Sequence, residues 1–327
     1  MKSNKYEIDM CNGSIMDKLV SFALPLMLSG ILQLMFNAVD IIVVGRFSGS
    51  EALAAVGSTT ALINVFTNLF IGISLGANVL AARFFAAGRK EEMSETVHTS
   101  ITLALISGIL MAFVGLVFSK GALELMGTPE DVIGLSTLYM RIYFMGMPFF
   151  MLYNYGAAIL RAVGDTKRPL YFLIIAGVIN AGLNMVLVIV FGLGVAGVGI
   201  ATVFSQMVSC VLVLTCLCRT EGSYKLSFSK LSMKGYYLKQ IFQVGIPAGI
   251  QSTVINFSNA LLQSSVNSFG STAMAGYTAA NNILGFLYVS INSVTQACMS
   301  FTSQNFGVGK YKRMDRVLID CMILSVG

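Results

Sequence analysis

The sequence predicts an all-α, polytopic membrane helix bundle, and three observations predict it. Of 327 residues, 56% are hydrophobic and only 11% charged, against roughly 25% charged in an ordinary soluble domain. Apolar runs recur at lengths near the roughly 20 residues that cross a hydrocarbon core at about 1.5 Å per residue. Basic residues fall in alternate connections, as the retention of Lys and Arg on the cytoplasmic side requires.

Eight complete runs lie near 18–45, 53–81, 97–118, 135–160, 170–191, 197–217, 239–267 and 274–304, and a ninth begins near 317. The ninth stops at Gly327 after about ten residues, roughly half a span, so the sequence reads as part of a longer chain. The first eighteen residues mix charges of both signs and show no apolar core followed by a small-residue cleavage site; the first span is expected to be retained. Eighteen Lys and Arg, Lys2 and Lys5 among them, occupy one set of connections, whereas Arg46, Lys120 and Arg141 do not. The N-terminus is therefore expected in the cytoplasm and the chain in the cytoplasmic (inner) membrane. The formal net charge of +6 is topological and calls for no nucleic acid. Six cysteines lack the spacing of a zinc site and read as small buried hydrophobes.

An internal repeat sets the domain organisation. A shift of 222 aligns Pro25 with Pro247, Asn37 with Asn259, Val44 with Val266 and Phe47 with Phe269; a shift of 221 aligns Gly49, Ser50, Phe85 and Gly88 with Gly270, Ser271, Phe306 and Gly309. Six spans separate equivalent points, so the copies run the same way through the membrane, related by an axis along its normal. The expected plan is a six-helix bundle over 1–218, a cytoplasmic linker over 219–238 and an incomplete second bundle over 239–327. Two six-helix repeats are expected in the complete protein.

Asp40 stands out by position, because no other acid lies inside a complete predicted span. A carboxylate at the centre of a bilayer costs about 2.5–3.5 kcal/mol on insertion scales and needs a partner, a proton or a watered cavity. Asn37 and Gln33, three and seven residues earlier, share its helical face. Pro25 lacks the N–H for a bond to residue 21, so the span can hinge there. In the fifth span Asn180 and Asn184, four apart, share a face, and Thr202 opens the sixth. Amide oxygens and a hydroxyl beside a carboxylate suit a hard cation or a protonated acid, although such amides also serve as bridges between helices.

At this point the chain resembles the multidrug and toxic compound extrusion (MATE) family, most of all its prokaryotic DinF-like branch. "VDIIVVGRFSGSEALAAVG", "ILRAVGDTKRPL" and "VGIPAGIQ" carry the resemblance. In the second stretch Arg161, Gly164, Asp165, Thr166 and Pro169 match an R-x-x-G-D-T-x-x-P pattern whose glycine and proline punctuate a turn. The resemblance implies twelve helices in two bundles forming a V, and export of organic cations or other amphiphiles driven by inward H⁺ or Na⁺. It implies that Asp40 is the first-helix acid of the cation or proton site and Pro25 the bend of that helix. Asn180 and Thr202 are implied as further members, so Asp40, Asn180 and Thr202 are the candidate Na⁺ ligands. Asn184 departs from the family, where many relatives carry a second carboxylate, and one fewer negative charge should weaken Na⁺ binding. Leu262 stands where the repeat would place the counterpart of Asp40.

Gln33, Asn37, Tyr139 and Asn154 are the candidate substrate-cavity residues, and Met and Phe side chains could add an adaptable lining. No cofactor is expected beyond the coupling ion; the expected partners are small cationic or amphiphilic substrates and lipid, and the expected state is a monomer. A lipid-linked oligosaccharide flippase is the alternative, but it would want basic residues along a central cleft, and Arg141 is the basic residue nearest to meeting that need. An enzyme would need a nucleophile, base or metal constellation; His98, the one histidine, has no such motif around it.

Overall fold

The computed structural model describes residues 6–267 and 271–326 and is all-α, with no strand among those residues. Lys2, Lys5, Phe269 and Gly270, used above, lie outside the described residues. The helices are α1 (Ile15–Phe47), α2 (Gly49–Ala86), α3 (Lys90–Leu125), α4 (Glu130–Met145), α5 (Met147–Ala162), α6 (Lys167–Asn184), α7 (Gly194–Arg219), α8 (Gly235–Asn267), α9 (Ser271–Gly307) and α10 (Tyr311–Val326). Among the described residues five helices, α1, α2, α3, α7 and α6 with its continuation to Val190, are long and apolar enough to cross a membrane.

Two differences from the sequence reading have local causes. The expected fourth span is two helices, because Pro148 has no N–H to continue the ladder and its ring crowds the carbonyl of residue 144. Since α4 and α5 both pack on α2, α3 and α7, they are successive pieces of one rod. At the end of the fifth span, α6 widens into a π-helical stretch over Met185–Val190, where Phe191 N–H donates to Val186 O at 3.1 Å. The turn between α1 and α2 is a single residue: Ser48 N–H reaches Val44 O at 2.8 Å, and Gly49 takes φ +87°, which a side chain would oppose.

The repeat appears in the helix lengths. Both α1 and α8 have 33 residues with a proline inside, and α2 and α9 have 38 and 37.

Packing divides α1 between two cores. Its first half, including Leu19, Phe22 and Leu26, is buried with Ala297, Phe301, Val317 and Cys321 of α9 and α10. Its last turns, with Val43 and Val44, join the larger core of α2–α7. Pro25 lies within the first of these cores, between Phe22 and Leu26.

Four glycines bring α2 and α8 into backbone contact. A Cβ at Gly72 would lie 2.2 Å from Gly249 Cα, and one at Gly245 would lie 2.5 Å from Ile73 Cα, as in close-packed membrane helix pairs. Polar bridges tie α2 to its other neighbours: Asn78 Nδ2 donates to Ala158 O of α5 at 2.9 Å, and Ser300 Oγ of α9 to Asn78 Oδ1 at 3.1 Å.

The basic end of the bundle is tied by two non-helical segments. Residues 8–13 run from the α5–α6 loop to the α9–α10 turn, through Ile8 N–H to Gly164 O at 3.3 Å, Lys310 Nζ to Cys11 O at 2.9 Å and Arg313 Nη2 to Gly13 O at 2.9 Å. Gly164 is conformationally required there: its φ is +95°, and a Cβ would come 2.6 Å from Ile8 O. The segment between α7 and α8 is pinned to α3. Ser227 N–H donates to His98 Nε2 at 3.2 Å, and Lys234 Nζ meets Glu95 at 2.8 Å. His98 is thereby a structural acceptor, with its Nδ1 2.6 Å from Ser94 O.

Candidate functional site

Three helices converge on Asp40. Its carboxylate accepts a hydrogen bond from Asn184 Nδ2, and the same amide nitrogen donates to Asn180 Oδ1 at 3.2 Å. The Thr202 hydroxyl stands within reach of the carboxylate and donates to Val198 O at 2.9 Å. Asp40 and Asn180 are 9% and 5% exposed and Asn184 is fully buried, so the acid sits inside protein rather than against lipid.

Small residues make the convergence possible. Where α1 crosses α6, a Cβ at Gly177 would fall 1.8 Å from the Phe36 ring, one turn before Asp40. Where α7 meets α4, a Cβ at Gly199 would fall 2.9 Å from Ile142 Cγ2 and 3.6 Å from Tyr139 Cδ2. Bulk at either crossing would push Asn184 or Thr202 away from the acid.

The predicted residues separate into two groups. Asp40, Asn180, Asn184 and Thr202 form one cluster, and buried Tyr139 stands within electrostatic reach of the carboxylate. Gln33 and Asn37 share the Asp40 stripe but are exposed. Asn154 is half-buried and donates to Phe150 O of its own helix at 2.8 Å. Leu262, at the repeat counterpart of Asp40, is 55% exposed.

Two members escaped the sequence reading. Tyr143 lies within reach of the carboxylate and near Gln206, and its ring centroid is 6.2 Å from that of Tyr139. Tyr143 and Gln206 each follow a named residue, Tyr139 or Thr202, by four positions. That spacing was a signal available in the sequence.

Chemically the cluster is a carboxylate faced by amides and hydroxyls, with no Lys or Arg beside it in the hydrogen bonds and ion pairs of the described residues. Asn184 Oδ1 is buried without a hydrogen-bond partner, which leaves an oxygen acceptor in a closed site. Such a set can hold a proton on the carboxylate or offer oxygens to a small hard cation.

Long apolar helices around a buried titratable cluster define a multi-pass membrane protein. The MatE family profile matches residues 25–186 and 247–327, and the chain belongs to that family. It is 34% identical over 306 residues to the Probable multidrug resistance protein YoeA of Bacillus subtilis (strain 168), covering 91% of this chain and 66% of that one. It is 24% identical over 308 residues to the FAD transporter of Shewanella oneidensis, covering 92% of this chain and 67% of that one. The chain thus spans about two thirds of the length of these curated relatives. A solved MOP superfamily transporter from Pyrococcus furiosus superposes with a TM-score of 0.91 at 24% identity, over 99% of this chain and 72% of that chain, which shows the shared fold. The Shewanella and Pyrococcus proteins are named as transporters.

Proposed function

We propose that the chain belongs to a secondary active transporter that exports organic cations or other amphiphiles in antiport with H⁺ or Na⁺. It would lie in the cytoplasmic membrane as a monomer with its N-terminus inside. The observation that carries the reading is Asp40, a carboxylate buried within an apolar bundle and held by Asn184, with Thr202 nearby. A structural bridge would not need an acid where an amide would serve, since burying a charge inside a membrane helix is costly. The names of the relatives, multidrug resistance protein and FAD transporter, support transport and do not favour the flippase alternative.

The mechanism follows from α1. Asp40 lies beside Val43 and Val44 of the larger core, whereas the stretch of α1 around Pro25, from Leu19 to Leu26, lies in the core with α9 and α10. A change of charge at Asp40 alters how firmly the last turns of α1 are held to α6 and α7. Pro25, without an N–H, is where the helix yields at least cost. Proton or ion occupancy then biases an equilibrium between two arrangements of the bundles. With Asn184 donating to the carboxylate in place of a second acid, the cluster suits a proton better than Na⁺.

The test is uptake of a fluorescent organic cation such as ethidium into everted vesicles under an imposed pH gradient or an imposed Na⁺ gradient. Uptake driven by the pH gradient supports the proton reading, and uptake driven by Na⁺ alone replaces it with the cation reading. Uptake under neither gradient removes the transporter reading.

A further inference from the structure

We propose that the cavity at the basic end of the bundle, separate from the Asp40 cluster, is a binding site for a phosphate ester. The cavity has a volume of about 1460 Å³ and lies between the N-terminal segment, the start of α3, the end of α7 and the segment leading to α8. Its walls carry Lys90, Arg168, Arg219, Lys225, Lys230 and Lys310 against Glu7, Asp9 and Glu221.

Much of the acidic side is already engaged. Glu7 accepts from Tyr224 OH at 2.7 Å, and Asp9 accepts from Cys11 N–H and Asn12 Nδ2, each at 2.9 Å. Burial would raise the Asp9 carboxyl, but the bonds from Asn12 and Cys11, with Lys18 nearby, outweigh it and hold the group below its ordinary range. On the basic side Arg168 is paired with Asp165, and Lys310 is bonded to Cys11 O and Asn12 Oδ1.

That leaves Lys90, Arg219, Lys225 and Lys230, which are exposed and make no ion pair among the described residues. Retention of basic loops on one side of a membrane explains their presence at this end. It does not require four of them to line one cavity. Six cations against three carboxylates leave the cavity walls net positive, a field that favours an anion, and Arg and Lys are the donors that phosphate oxygens take. Apolar wall is present as well: Phe85 and Tyr224 stand edge to face with centroids 6.1 Å apart. The matching ligand therefore bears a phosphate and an apolar or aromatic group, as both a nucleoside phosphate and a phospholipid do.

Cys11 and Cys216 line the cavity and Cys298 does not, so they report occupancy directly. The experiment follows maleimide labelling of each cysteine by mass spectrometry in the full chain, held in phosphatidylcholine nanodiscs with ADP or inorganic phosphate added, and in phosphatidylglycerol nanodiscs with neither. We expect labelling of Cys11 and Cys216 to slow at least threefold, with Cys298 unchanged and with the protection preserved in Asp40→Asn. Protection by ADP or phosphate supports a soluble ligand, and protection by phosphatidylglycerol alone supports a lipid headgroup. The combined variant Arg219→Gln, Lys225→Gln, Lys230→Gln should abolish it, and these exposed positions leave folding intact. No protection with any probe, equal slowing at Cys298, or protection that survives the combined variant overturns the proposal. None of these rates depends on gradient-driven uptake, so the site and the transport reading stand or fall separately.

Discussion

Two glycine-to-alanine changes within α2 should move stability in opposite directions. At Gly72 an added Cβ would meet Gly249 Cα at 2.2 Å and Gly249 N at 2.3 Å, where carbon contacts ordinarily sit at about 3.5–4.0 Å. The obstacle is backbone, which has no alternative rotamer, so α2 and α8 must part by roughly 1.3 Å or more. Overpacking of this kind costs about 1–3 kcal/mol. At Gly57 nothing lies within 4 Å of the same added atom, so only helix propensity changes, a gain of about 0.5–1 kcal/mol. Thermal unfolding in detergent should therefore show Gly72→Ala melting roughly 2–10 °C below the unaltered chain. Gly57→Ala should melt at or slightly above it. A Gly72→Ala protein as stable as Gly57→Ala would refute the backbone seam between α2 and α8.

Asn184→Asp adds the second carboxylate that the site lacks and should strengthen Na⁺ dependence of uptake; an unchanged response to a Na⁺ gradient would argue against charge count as the determinant. Arg168→Gln removes the partner of Asp165, whose side chain is fully buried, and should cost about 3–5 kcal/mol, seen as a loss of thermal stability at neutral pH. Burial pushes the Asp165 carboxyl up from its ordinary range, with Arg168 pulling it back. A folded value above the unfolded one means that the contribution of Asp165 is complete below about pH 3.9 and falls as pH rises through the folded value. The Arg168→Gln deficit should therefore shrink on acidification, and a deficit that grows toward pH 5 would contradict this.

The sequence displayed the membrane class, the helix positions and the core of the site, since each is written in local pattern. Run length gave the helices to within a few residues at most boundaries, and helical spacing placed Asn180 and Asn184 on one face. Tertiary geometry was less visible. The break at Gly146 and Pro148 was missed because the apolar pattern continues across it. Asp40, Asn37 and Gln33 were read as one stripe, yet only Asp40 is buried, because burial depends on where α6 crosses α1 at Gly177. The glycine of the R-x-x-G-D-T-x-x-P stretch was read as turn punctuation. Its second constraint, contact with Ile8, links residues 156 positions apart and leaves no local trace. The α7–α8 segment read only as a cytoplasmic linker, yet Tyr224 and Leu226 within it are 2% and 1% exposed.

The central claim is that the titratable oxygen of Asp40 couples ion movement to export. Asp40→Asn keeps shape and hydrogen-bonding capacity at that position while removing the charge and the exchangeable acid proton. Gradient-driven ethidium uptake should fall to the level of vesicles lacking the protein, with the melting temperature within a few degrees of the parent. Retention of normal proton-driven uptake by a well-folded Asp40→Asn protein would contradict it.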